Sequence, residues 1–321
     1  VLKKKFNVVK SGNIGTPFSE IVYKENKYKT SNTDFCILEL SSFQIDDIDT
    51  FKPEIAMILN ISRDHLDRYA DFIDYSKSKM NLFKNMKDND LIIYNHDDPV
   101  LCEEVEKRDR VFTAYSLDKN FSIFYLEDGC IESVHSKKNL HIDDCKLSGI
   151  HNVSNFIGIA TIASHLGLDD RDIFESLKIF KGLEHRFETF KEVDGVKFIN
   201  DSKATNIASV KVAIDSIDKN IVLIMGGLPK ESDFSAIIEC SQSIKSIIAY
   251  GKASNDIYNS LSESCKVVKV KKFEEAINSA INLAVKGDSV LMSPGCSSYD
   301  QFKNFEERGN FFKSIVERHY S

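Results

Sequence analysis

The sequence predicts an α/β fold in which a parallel-sheet domain is followed by a second, doubly wound domain. Continuous apolar runs of strand length, such as Asp34–Leu40 and Ile55–Ile61, are typical of strands buried on both faces of a parallel sheet. Later in the chain, strands and helices alternate regularly, which favours a dinucleotide-fold-like domain. Between the two patterns the composition becomes polar. We therefore place a domain boundary near Lys181, with domains at residues 1–181 and 182–321.

The first domain is predicted from its apolar runs and helix caps. Asp98 and Pro99 supply the N-cap and first turn of a helix, and Asp128-Gly129 indicates a hairpin. The predicted strands are Asp34–Leu40, Ile55–Ile61, Asp90–Tyr94, Val111–Tyr115, Phe121–Leu126 and Cys130–Val134. The predicted helices are Tyr75–Asn85, Pro99–Lys107, Asn152–Leu166 and Asp170–Phe180.

The second domain repeats a strand–helix cycle. Its predicted strands are Val196–Asn200, Ile221–Met225, Ser246–Tyr250, Lys266–Val270 and Ser289–Met292. Its predicted helices are Ile207–Ile217, Phe234–Ile244, Asn255–Ser262, Phe273–Val285 and Phe311–His319. Ligands of such sheets bind beyond the carboxyl ends of the strands. We therefore expect a site in the loops that follow Asn200, Met225 and Met292.

Composition excludes several classes of protein. The formal net charge of −7 argues against a nucleic-acid binder, which needs a basic surface. No apolar stretch reaches the roughly 18 residues of a membrane span, and no signal peptide is recognisable. The 7 cysteines form no CxxC pair, which is typical of free thiols in a reducing compartment. The sequence thus predicts a cytoplasmic protein that binds neither nucleic acid nor membrane.

Polar side chains follow two buried strands of the first domain. Glu39 ends one strand, and Asn60–Arg68, which contains His65, follows the next. A carboxylate at a strand end is well placed to bind a metal, although a helix start capped by Ser41 explains the same residues. A His with carboxylates suits zinc, whereas oxygen ligands favour magnesium. Lys79, taken alone, is typical of a solvated charge on a helix.

Further polar segments lie at predicted helix starts and strand ends. Asn152 and Asn155 lie three residues apart, and N-capping explains the first of them better than the second. The segment Asn200–Asn206 collects donors and acceptors at a helix N-terminus, which suits an anion. In Gly226–Lys230 and Ser293–Ser298, glycines allow close approach of a ligand, and a lysine adds charge to the first. Their convergence on one sheet edge predicts a polar, anionic ligand.

Taken together, these segments resemble the motifs of the Mur ligase family, in family order over essentially the whole chain. The matching segments are Gly12–Gly15 (GNIG), Glu39–Gln44 (ELSSFQ), Leu59–Arg68 (LNISRDHLDR), His151–Asn155, Gly182–Glu188 (GLEHRFE), Asn200–Asn206 (NDSKATN), Gly226–Lys230 and Ser293–Gly309 (SPGCSSYDQFKNFEERG). The segments NDSKATN and DQFKNFEERG are most similar to the members that add D-glutamate.

The resemblance implies an ATPase-like central domain and an ATP-dependent amide ligase of peptidoglycan precursor synthesis, with a role in cell-wall biogenesis, cell shape and cell division. ATP would phosphorylate the alanine carboxylate of UDP-N-acetylmuramoyl-L-alanine. The amine of D-glutamate would then attack the acyl phosphate and release phosphate. Mg²⁺ and basic side chains would offset the negative charge that gathers there.

The resemblance also implies roles for individual residues. The catalytic residues would be His65, Lys79 and Lys203. The metal ligands would be Glu39, His65 and Lys79, the lysine being carried as a carbamate, which requires a lowered pKa. ATP would be held by Asn152, Asn155, Arg186, Asp201 and Lys203. Asn13, Ser41 and His65 would contact the muramoyl substrate, and Thr205, Lys230, Ser298, Tyr299 and Phe305 would surround D-glutamate.

One departure from the family pattern concerns the phosphates of ATP. Family members carry a glycine-rich phosphate loop before the GNIG segment, and nothing in the chain fits G-x-x-x-x-G-K-[ST]. We therefore interpret the chain as a truncated ligase without its UDP-binding domain and phosphate loop, inactive alone. A segment supplied in trans would complete it. The alternatives are another Mur or folylpolyglutamate-type ligase, and a non-catalytic remnant that binds a nucleotide or an amino acid.

Overall fold

The computed structural model describes residues 1–13, 15–28, 32–63, 68–147, 149–230 and 233–321. The chain divides into two compact units: the N-terminal unit is Val1–Lys181 and the C-terminal unit is Gly182–Ser321. Both combine helices with largely parallel sheets, so the α/β prediction is confirmed. Among the described residues, no helix is both long and apolar enough to cross a membrane.

The N-terminal unit contains eight strands and six α-helices among its described residues. The strands are β1 (Val8–Gly12), β2 (Phe35–Glu39), β3 (Ile55–Ile58), β4 (Leu91–Asn95), β5 (Thr113–Tyr115), β6 (Phe124–Glu127), β7 (Cys130–Ser133) and β8 (Ser136–His141). The helices are α1 (Phe18–Tyr28), α2 (Ser42–Asp46), α3 (Phe72–Met80), α4 (Pro99–Glu106), α5 (Ile150–His165) and α6 (Asp170–Ile179). Short 3₁₀ turns occur at Leu2–Lys4, Asn81–Phe83 and Ile142–Asp144.

Three sheets are present in the described part of the N-terminal unit. Strands β1 and β2 form a parallel pair, and β3, β4 and β5 form a second parallel sheet. Strands β6, β7 and β8 form a small antiparallel sheet. The sequence indicated one parallel sheet, but β2 and β3 are not hydrogen-bonded to each other. Each of the two parallel sheets thus has a polar residue at or just after the end of a strand: Glu39 is the last residue of β2, and Asn60 lies two residues after β3.

Helix α5 anchors the core of the N-terminal unit. Its Ile157 and Ala160 are fully buried. A Cβ added at Gly158 would lie only 3.2 Å from the Tyr115 ring and 3.3 Å from the Met57 sulfur. Because Gly158 has no side chain, α5 can approach β3 and β5 closely, and this close packing fixes the distance between the helix and the sheet.

The C-terminal unit has one six-stranded sheet with helices on both faces. The strands are β9 (Glu188–Val193), β10 (Val196–Asn200), β11 (Ile221–Gly226), β12 (Ile244–Tyr250), β13 (Val267–Lys269) and β14 (Ser289–Met292). The helices are α7 (Ile207–Asp215), α8 (Ser254–Leu261), α9 (Phe273–Leu283) and α10 (Phe305–His319), with a 3₁₀ helix at Ser235–Ser243. The spatial order is β13-β12-β11-β14-β10-β9.

Strand β11 is central to this sheet and all of its residues are buried. Alternate side chains enter opposite cores: Leu223 packs with α7 and α8, whereas Ile224 packs with α9 and α10. A strand covered on both faces reads as a continuous apolar run, which is why the sequence predicted it correctly. The chain order reverses around β11 and β14, and such a reversal opens a crevice at the carboxyl ends of the strands.

Three predictions for the C-terminal unit need correction. Strand β9 was not predicted, because it is an antiparallel edge strand with mostly polar residues. Helix α10 begins at Phe305, six residues before the predicted start at Phe311, because Asn304 caps it by accepting a hydrogen bond from the Glu307 amide. The predicted helix Phe234–Ile244 is a 3₁₀ helix, and its irregular apolar spacing gives no steady helical face.

The end of β11 provides a test of how tightly the strands are packed. Gly226 has a φ of 137°, and an added Cβ would lie 2.1 Å from the Tyr250 carbonyl oxygen on β12. Gly287 also has a positive φ, but an added Cβ there meets no heavy atom within 4 Å. We expect Gly287→Ala to cost about 1–2 kcal/mol of unfolding free energy from backbone strain, and Gly226→Ala to cost more than about 3 kcal/mol.

Urea unfolding followed by far-UV circular dichroism measures both values. Because the two glycines share a positive φ, their difference isolates the collision with β12. Equal losses in the two variants would contradict the close approach of β11 and β12.

Candidate functional site

The crevice of the C-terminal unit lies where β10, β14 and β11 end side by side. Strand β14 pairs with β10 on one side and with β11 on the other. The polar segments 200–206, 226–230 and 293–298 are therefore neighbours, as the sequence predicted. Backbone hydrogen bonds join them: Asp201 N to Met292 O (2.8 Å), Gly226 N to Pro294 O (3.0 Å), and Gly295 N to Ala204 O (2.9 Å).

Asp201 is a buried carboxylate at the centre of this crevice. Its Oδ1 accepts a hydrogen bond from the Phe187 amide (3.1 Å), and its Oδ2 accepts one from the Ser293 hydroxyl (2.7 Å). Burial raises the pKa of Asp201 to about 6, although these bonds and the charges of Arg186 and Arg308 act in the opposite direction. The carboxylate is mostly ionised at pH 7, and each oxygen retains a lone pair for a further donor.

The Arg308 side chain connects the loops of the crevice by hydrogen bonds. Its guanidinium is fully buried. Nε donates to Ser202 Oγ (2.9 Å), Nη2 to Ser202 O (2.7 Å), and Nη1 to Cys296 O (3.1 Å) and Tyr250 Oη (3.4 Å). A single planar cation thus fixes the ends of β10, β12 and β14 relative to one another. The motif that contains Arg308 was noted in the sequence, but the arginine itself was not singled out, because a buried arginine has no pattern of its own.

His185 and Asn200 form a second buried network. The Asn200 amide donates to His185 Nδ1 (2.9 Å) and to Glu188 Oε2 (3.1 Å). An amide nitrogen only donates, so His185 Nδ1 must accept, which requires it to carry no proton. Burial and the charge of Lys313 lower the pKa of His185, which favours that neutral form. Gly309 on α10 makes room for the ring: an added Cβ would lie 2.2 Å from Nδ1.

This network presents Arg186 at the surface. Arg186 is exposed, and the residues on both sides have positive φ angles, 66° at His185 and 47° at Phe187. Such conformations cost free energy in residues other than glycine and persist where surrounding bonds enforce them. Here the bonds from Phe187 to Asp201 and from Asn200 to His185 do so. Arg186 is thereby placed where its charge acts on Asp201.

Lys203 lies in the loop between β10 and α7 and contacts the first residue of helix α10. Its backbone amide donates to the His185 carbonyl (3.0 Å), and its Nζ lies 4.2 Å from the centroid of the Phe305 ring. The backbone carbonyl of Phe305 accepts a hydrogen bond from the Ser202 hydroxyl (2.8 Å). The contacts bring Lys203 and Phe305 together, although roughly 100 residues separate them in the chain.

The residues predicted to surround an amino-acid ligand lie in the same crevice. Leu228 and Ser297 exchange backbone hydrogen bonds of 2.9 and 3.0 Å, which joins the segment before Lys230 to the one before Ser298. Ser298 is buried, whereas Lys230 and Tyr299 are exposed. Thr205 is half-buried at the start of α7. The two joined loops thus carry an exposed ammonium and a buried hydroxyl, which are groups that suit an anion.

In the N-terminal unit, Glu39 and Asn13 stand together at the ends of β2 and β1. The backbone amide of Asn13 donates to the Glu39 carbonyl oxygen (2.7 Å), and the side-chain Nδ2 of Asn13 lies 3.4 Å from Glu39 Oε1. An added Cβ at Gly12 would lie 2.3 Å from Glu39 O, so the approach requires glycine. Ser41 caps α2 in a capping box with Gln44, as the structural alternative predicted. The Glu39 carboxylate offers oxygen atoms of the kind that Mg²⁺ prefers.

Lys79 lies on α3, which is anchored to α2. Tyr69 Oη donates to Asp46 (2.6 Å) and lies 3.1 Å from the Ser78 hydroxyl, next to Lys79. Lys79 is half-buried, with Nζ 5.7 Å from the centroid of the Tyr75 ring. His65 lies outside the described residues. Within the ranges that the structure describes, no three His, Cys, Asp or Glu side chains form a metal-binding group.

Asn152 and Asn155 lie in the first two turns of α5. The prediction that Asn152 caps this helix is wrong: α5 begins at Ile150, and Gly149, with a φ of 97°, is its N-cap without a side-chain bond. Asn152 instead lies within the first turn, with Nδ2 3.1 Å from His151 Nε2. Both asparagines are half-buried and three apart, on one face of the helix. Capping therefore explains neither of them.

Comparison with known proteins identifies both units. Residues 7–163 match the model of the Mur ligase middle domain, and residues 185–296 match that of the Mur ligase glutamate ligase domain. The UDP-N-acetylmuramoylalanine–D-glutamate ligase of Natranaerobius thermophilus is 37% identical over 319 residues, covering 97% of this chain and 68% of that protein. The enzyme of the same name from Alkaliphilus oremlandii is 37% identical over 314 residues, covering 95% of this chain and 68% of that protein.

Solved structures share the fold. MurF ligase from Thermotoga maritima in complex with ADP has a TM-score of 0.71 at 19% identity, covering 99% of this chain and 76% of that chain. E. coli FolC in complex with DHPP and ADP has a TM-score of 0.65 at 16% identity, covering 91% of this chain and 69% of that chain.

The raised pKa of Asp201 predicts a pH-dependent loss of stability. Because the folded-state pKa of about 6 lies above the ordinary value of 3.8 for this carboxyl group, the folded protein binds more protons between these values, and stability falls as pH rises through that window. At neutral pH the ionisation of Asp201 therefore lowers the free energy of unfolding by about 3 kcal/mol. In Asp201→Asn the charge is removed, Oδ1 can still accept from the Phe187 amide, and Nδ2 can donate to the Ser293 hydroxyl, which reverses the direction of that bond. We expect this substitution to raise the free energy of unfolding by up to about 3 kcal/mol at pH 7.5 and by little near pH 4.

Urea unfolding at the two pH values measures this difference, with the exposed Asp218→Asn as the matched control. A gain from Asp201→Asn that is the same at both pH values would show that the burial of charge is not its cause.

Proposed function

The chain belongs to the Mur ligase family, and from this membership we propose that it performs the ATP-dependent ligation of D-glutamate to UDP-N-acetylmuramoyl-L-alanine. The observation that carries the proposal is the interlocked crevice, in which the Asp201–Lys203 loop, the Lys230 loop and the Ser298 loop meet. The relatives that match along nearly all of the chain bear the name of this activity. The proposal places the protein in peptidoglycan precursor synthesis in the cytoplasm.

The proposed reaction has two steps. The alanine carboxylate attacks the γ-phosphorus of ATP, and ADP leaves, which gives an acyl phosphate. The neutral amine of D-glutamate then attacks the acyl carbon, and the tetrahedral intermediate collapses to the amide and inorganic phosphate, with loss of one of the two amine protons. Both steps gather anionic oxygens in a small volume, so cationic groups fixed beforehand at that place lower the barrier.

For the nucleotide we propose a division of work between Asp201 and Lys203. The Asp201 carboxylate, ionised at pH 7, accepts hydrogen bonds from hydroxyl groups of the nucleotide. The Lys203 ammonium and the exposed Arg186 meet its phosphates. Asn152 and Asn155, whose side chains capping does not explain, are the proposed nucleotide ligands of the N-terminal unit.

For D-glutamate we propose that the exposed Lys230 pairs with one of its carboxylates. The buried Ser298 hydroxyl and Thr205 donate hydrogen bonds, and Tyr299 and Phe305 border the site. A dicarboxylate suits a crevice that combines an ammonium with hydroxyl donors. In the N-terminal unit, Asn13 and Ser41 are the proposed contacts of the muramoyl substrate.

For the metal we propose Mg²⁺ held by Glu39. The fit is a matter of donor chemistry: Glu39 presents a carboxylate at a strand end, and the Asn13 side chain lies against only one of its oxygens. Lys79 ligates only as a carbamate, and His65 completes the proposed set. Bound Mg²⁺ would offset the negative charge of the phosphates.

We further propose that a segment other than these 321 residues supplies the phosphate loop, either in cis or in trans. The support is that no G-x-x-x-x-G-K-[ST] motif occurs in the sequence. Backbone amides of such a loop surround the phosphates of ATP. The loops of the crevice offer charged and polar side chains to the phosphates, and we propose that the backbone amides come from the other segment.

The ligation assay tests this function. The chain is incubated with ATP, Mg²⁺, UDP-N-acetylmuramoyl-L-alanine and radiolabelled D-glutamate, with or without the N-terminal third of the Natranaerobius relative as a separate polypeptide. We expect labelled product and equimolar phosphate only in the mixture that contains both polypeptides. L-Glutamate in place of D-glutamate is the substrate control.

The outcomes separate the alternatives. Product from the chain alone would refute the need for an added phosphate loop but support the ligase. Binding of ADP and D-glutamate in calorimetry, with no product from the mixture, would favour a non-catalytic binding protein. Absence of both binding and product would overturn the proposed function.

The proposed role of Lys230 makes a quantitative prediction. A hydrogen bond between charged groups contributes about 1.5–3 kcal/mol, so Lys230→Met should weaken D-glutamate binding by about 10- to 150-fold. Lys219→Met removes an equally exposed ammonium outside the crevice and should leave the affinity unchanged. Titration calorimetry of both variants measures the effect. Similar affinities in the two variants would remove Lys230 from the acceptor site.

A further inference from the structure

The aromatic ring of Phe305 lies against the ammonium of Lys203. The Nζ–centroid distance of 4.2 Å is within the range of a cation–π interaction. Lys203 belongs to the loop after β10, whereas Phe305 is the first residue of α10. The contact therefore connects the loop proposed to bind the nucleotide with the helix proposed to border D-glutamate.

The backbones on both sides of this contact are fixed independently. The Ser202 hydroxyl donates to Phe305 O (2.8 Å), and Arg308, one turn further along α10, donates to Ser202 Oγ (2.9 Å) and O (2.7 Å). The Lys203 amide donates to His185 O (3.0 Å). With both Cα positions held, the ring of Phe305 restricts the conformations open to the long Lys203 side chain.

The ring itself is also oriented. The His185 ring packs against it edge to face, with centroids 6.0 Å apart and an interplanar angle of 81°. Asn200 in turn holds His185 by a hydrogen bond, and the absence of a side chain at Gly309 leaves room for the His185 ring. The face of Phe305 is thus presented to Lys203 by a chain of buried contacts.

An aromatic face suits a lysine that has to meet phosphate. The quadrupole of an aromatic ring attracts an ammonium without adding a negative charge of its own, so this contact leaves the attraction of the lysine for phosphate intact. The adjacent carboxylate of Asp201 is already bonded to the Phe187 amide and the Ser293 hydroxyl. Restricting the lysine before the nucleotide binds lowers the entropic cost of binding.

We propose that Phe305 is a positioning residue: its ring holds the Lys203 ammonium in place for the phosphates of the nucleotide, and so couples the start of α10 to nucleotide binding. This inference rests on the proposed function, in which Lys203 contacts ATP. It adds that displacement of the ring, by a variant or by an acceptor-site ligand, removes this contact from the lysine and weakens nucleotide binding.

The contact is tested first without any ligand. Brief acetylation of the native chain, followed by peptide mass spectrometry, gives the reactivity of Lys203 relative to Lys197 in the same sample. Loss of the ring lowers the stabilisation of the charged amine, so Phe305→Leu should label Lys203 about 3-fold faster or more, and Phe305→Tyr at the native rate. Phe302→Leu, which removes a ring that packs on Phe273 and Phe311, is the matched control and should leave Lys203 unchanged.

The functional arm is ADP affinity measured by calorimetry. Phe305→Leu should weaken ADP binding by about 3- to 30-fold and Phe305→Tyr by little. In a Lys203→Met background the effect of Phe305→Leu should vanish, since the ring would have no ammonium to hold. A structural defect would persist in that background.

The outcomes distinguish this proposal from the proposed function. If Lys203 labels at the same rate in Phe305→Leu and Phe305→Tyr, the positioning contact is refuted whatever the activity. If labelling responds but ADP affinity does not, or if the native chain binds no ADP, the role of the contact in nucleotide binding is refuted. Faster labelling together with a loss of affinity that depends on Lys203 supports the proposal.

Discussion

The candidate site depends on the hydrogen bonds that the buried guanidinium of Arg308 donates. A charge taken out of water is expensive unless donors and acceptors satisfy it, and here the acceptors are neutral: two carbonyl oxygens and two hydroxyl groups. These acceptors come from the ends of different strands. Because a planar guanidinium bonds in fixed directions, it holds those strand ends in a single arrangement. The crevice is therefore a rigid part of the sheet edge.

The rigid sheet edge holds the carboxylate of Asp201 in a buried position, where its ionisation costs free energy. Asp201 is buried, and its raised pKa expresses the free energy needed to ionise it there. The positive φ angles on either side of Arg186 add to that cost, whereas the hydrogen bond from the Phe187 amide offsets part of it. A protein that only needed to fold would not keep this combination, because a neutral residue would be more stable. The cost is consistent with a site that needs a fixed negative charge beside fixed positive ones.

The sequence predicted the fold and the placement of the crevice, because both follow from patterns that are local. Strands such as Ile221–Gly226 are buried on both faces and therefore appear as apolar runs. Polar segments at their carboxyl ends must converge in a parallel sheet. Edge strand β9 and the first turn of α10 escaped prediction, because their residues are polar and their ends are set by capping and pairing. The expected cap at Asn152 was wrong, because Gly149 is the N-cap and the helix begins at Ile150, two residues before the expected start.

By itself, the sequence determined the alternation of strands and helices, the three loops that form the crevice, and the family, since each is encoded in residues that are close together in the chain. Only the tertiary structure decided what those residues touch. It showed that Arg308 bonds Ser202, that Asn200 requires a neutral His185, and that Lys203 lies on the face of Phe305. These contacts join residues 15 to 106 positions apart, and no periodicity relates them. Their chemistry depends on burial, which is a property of the folded chain.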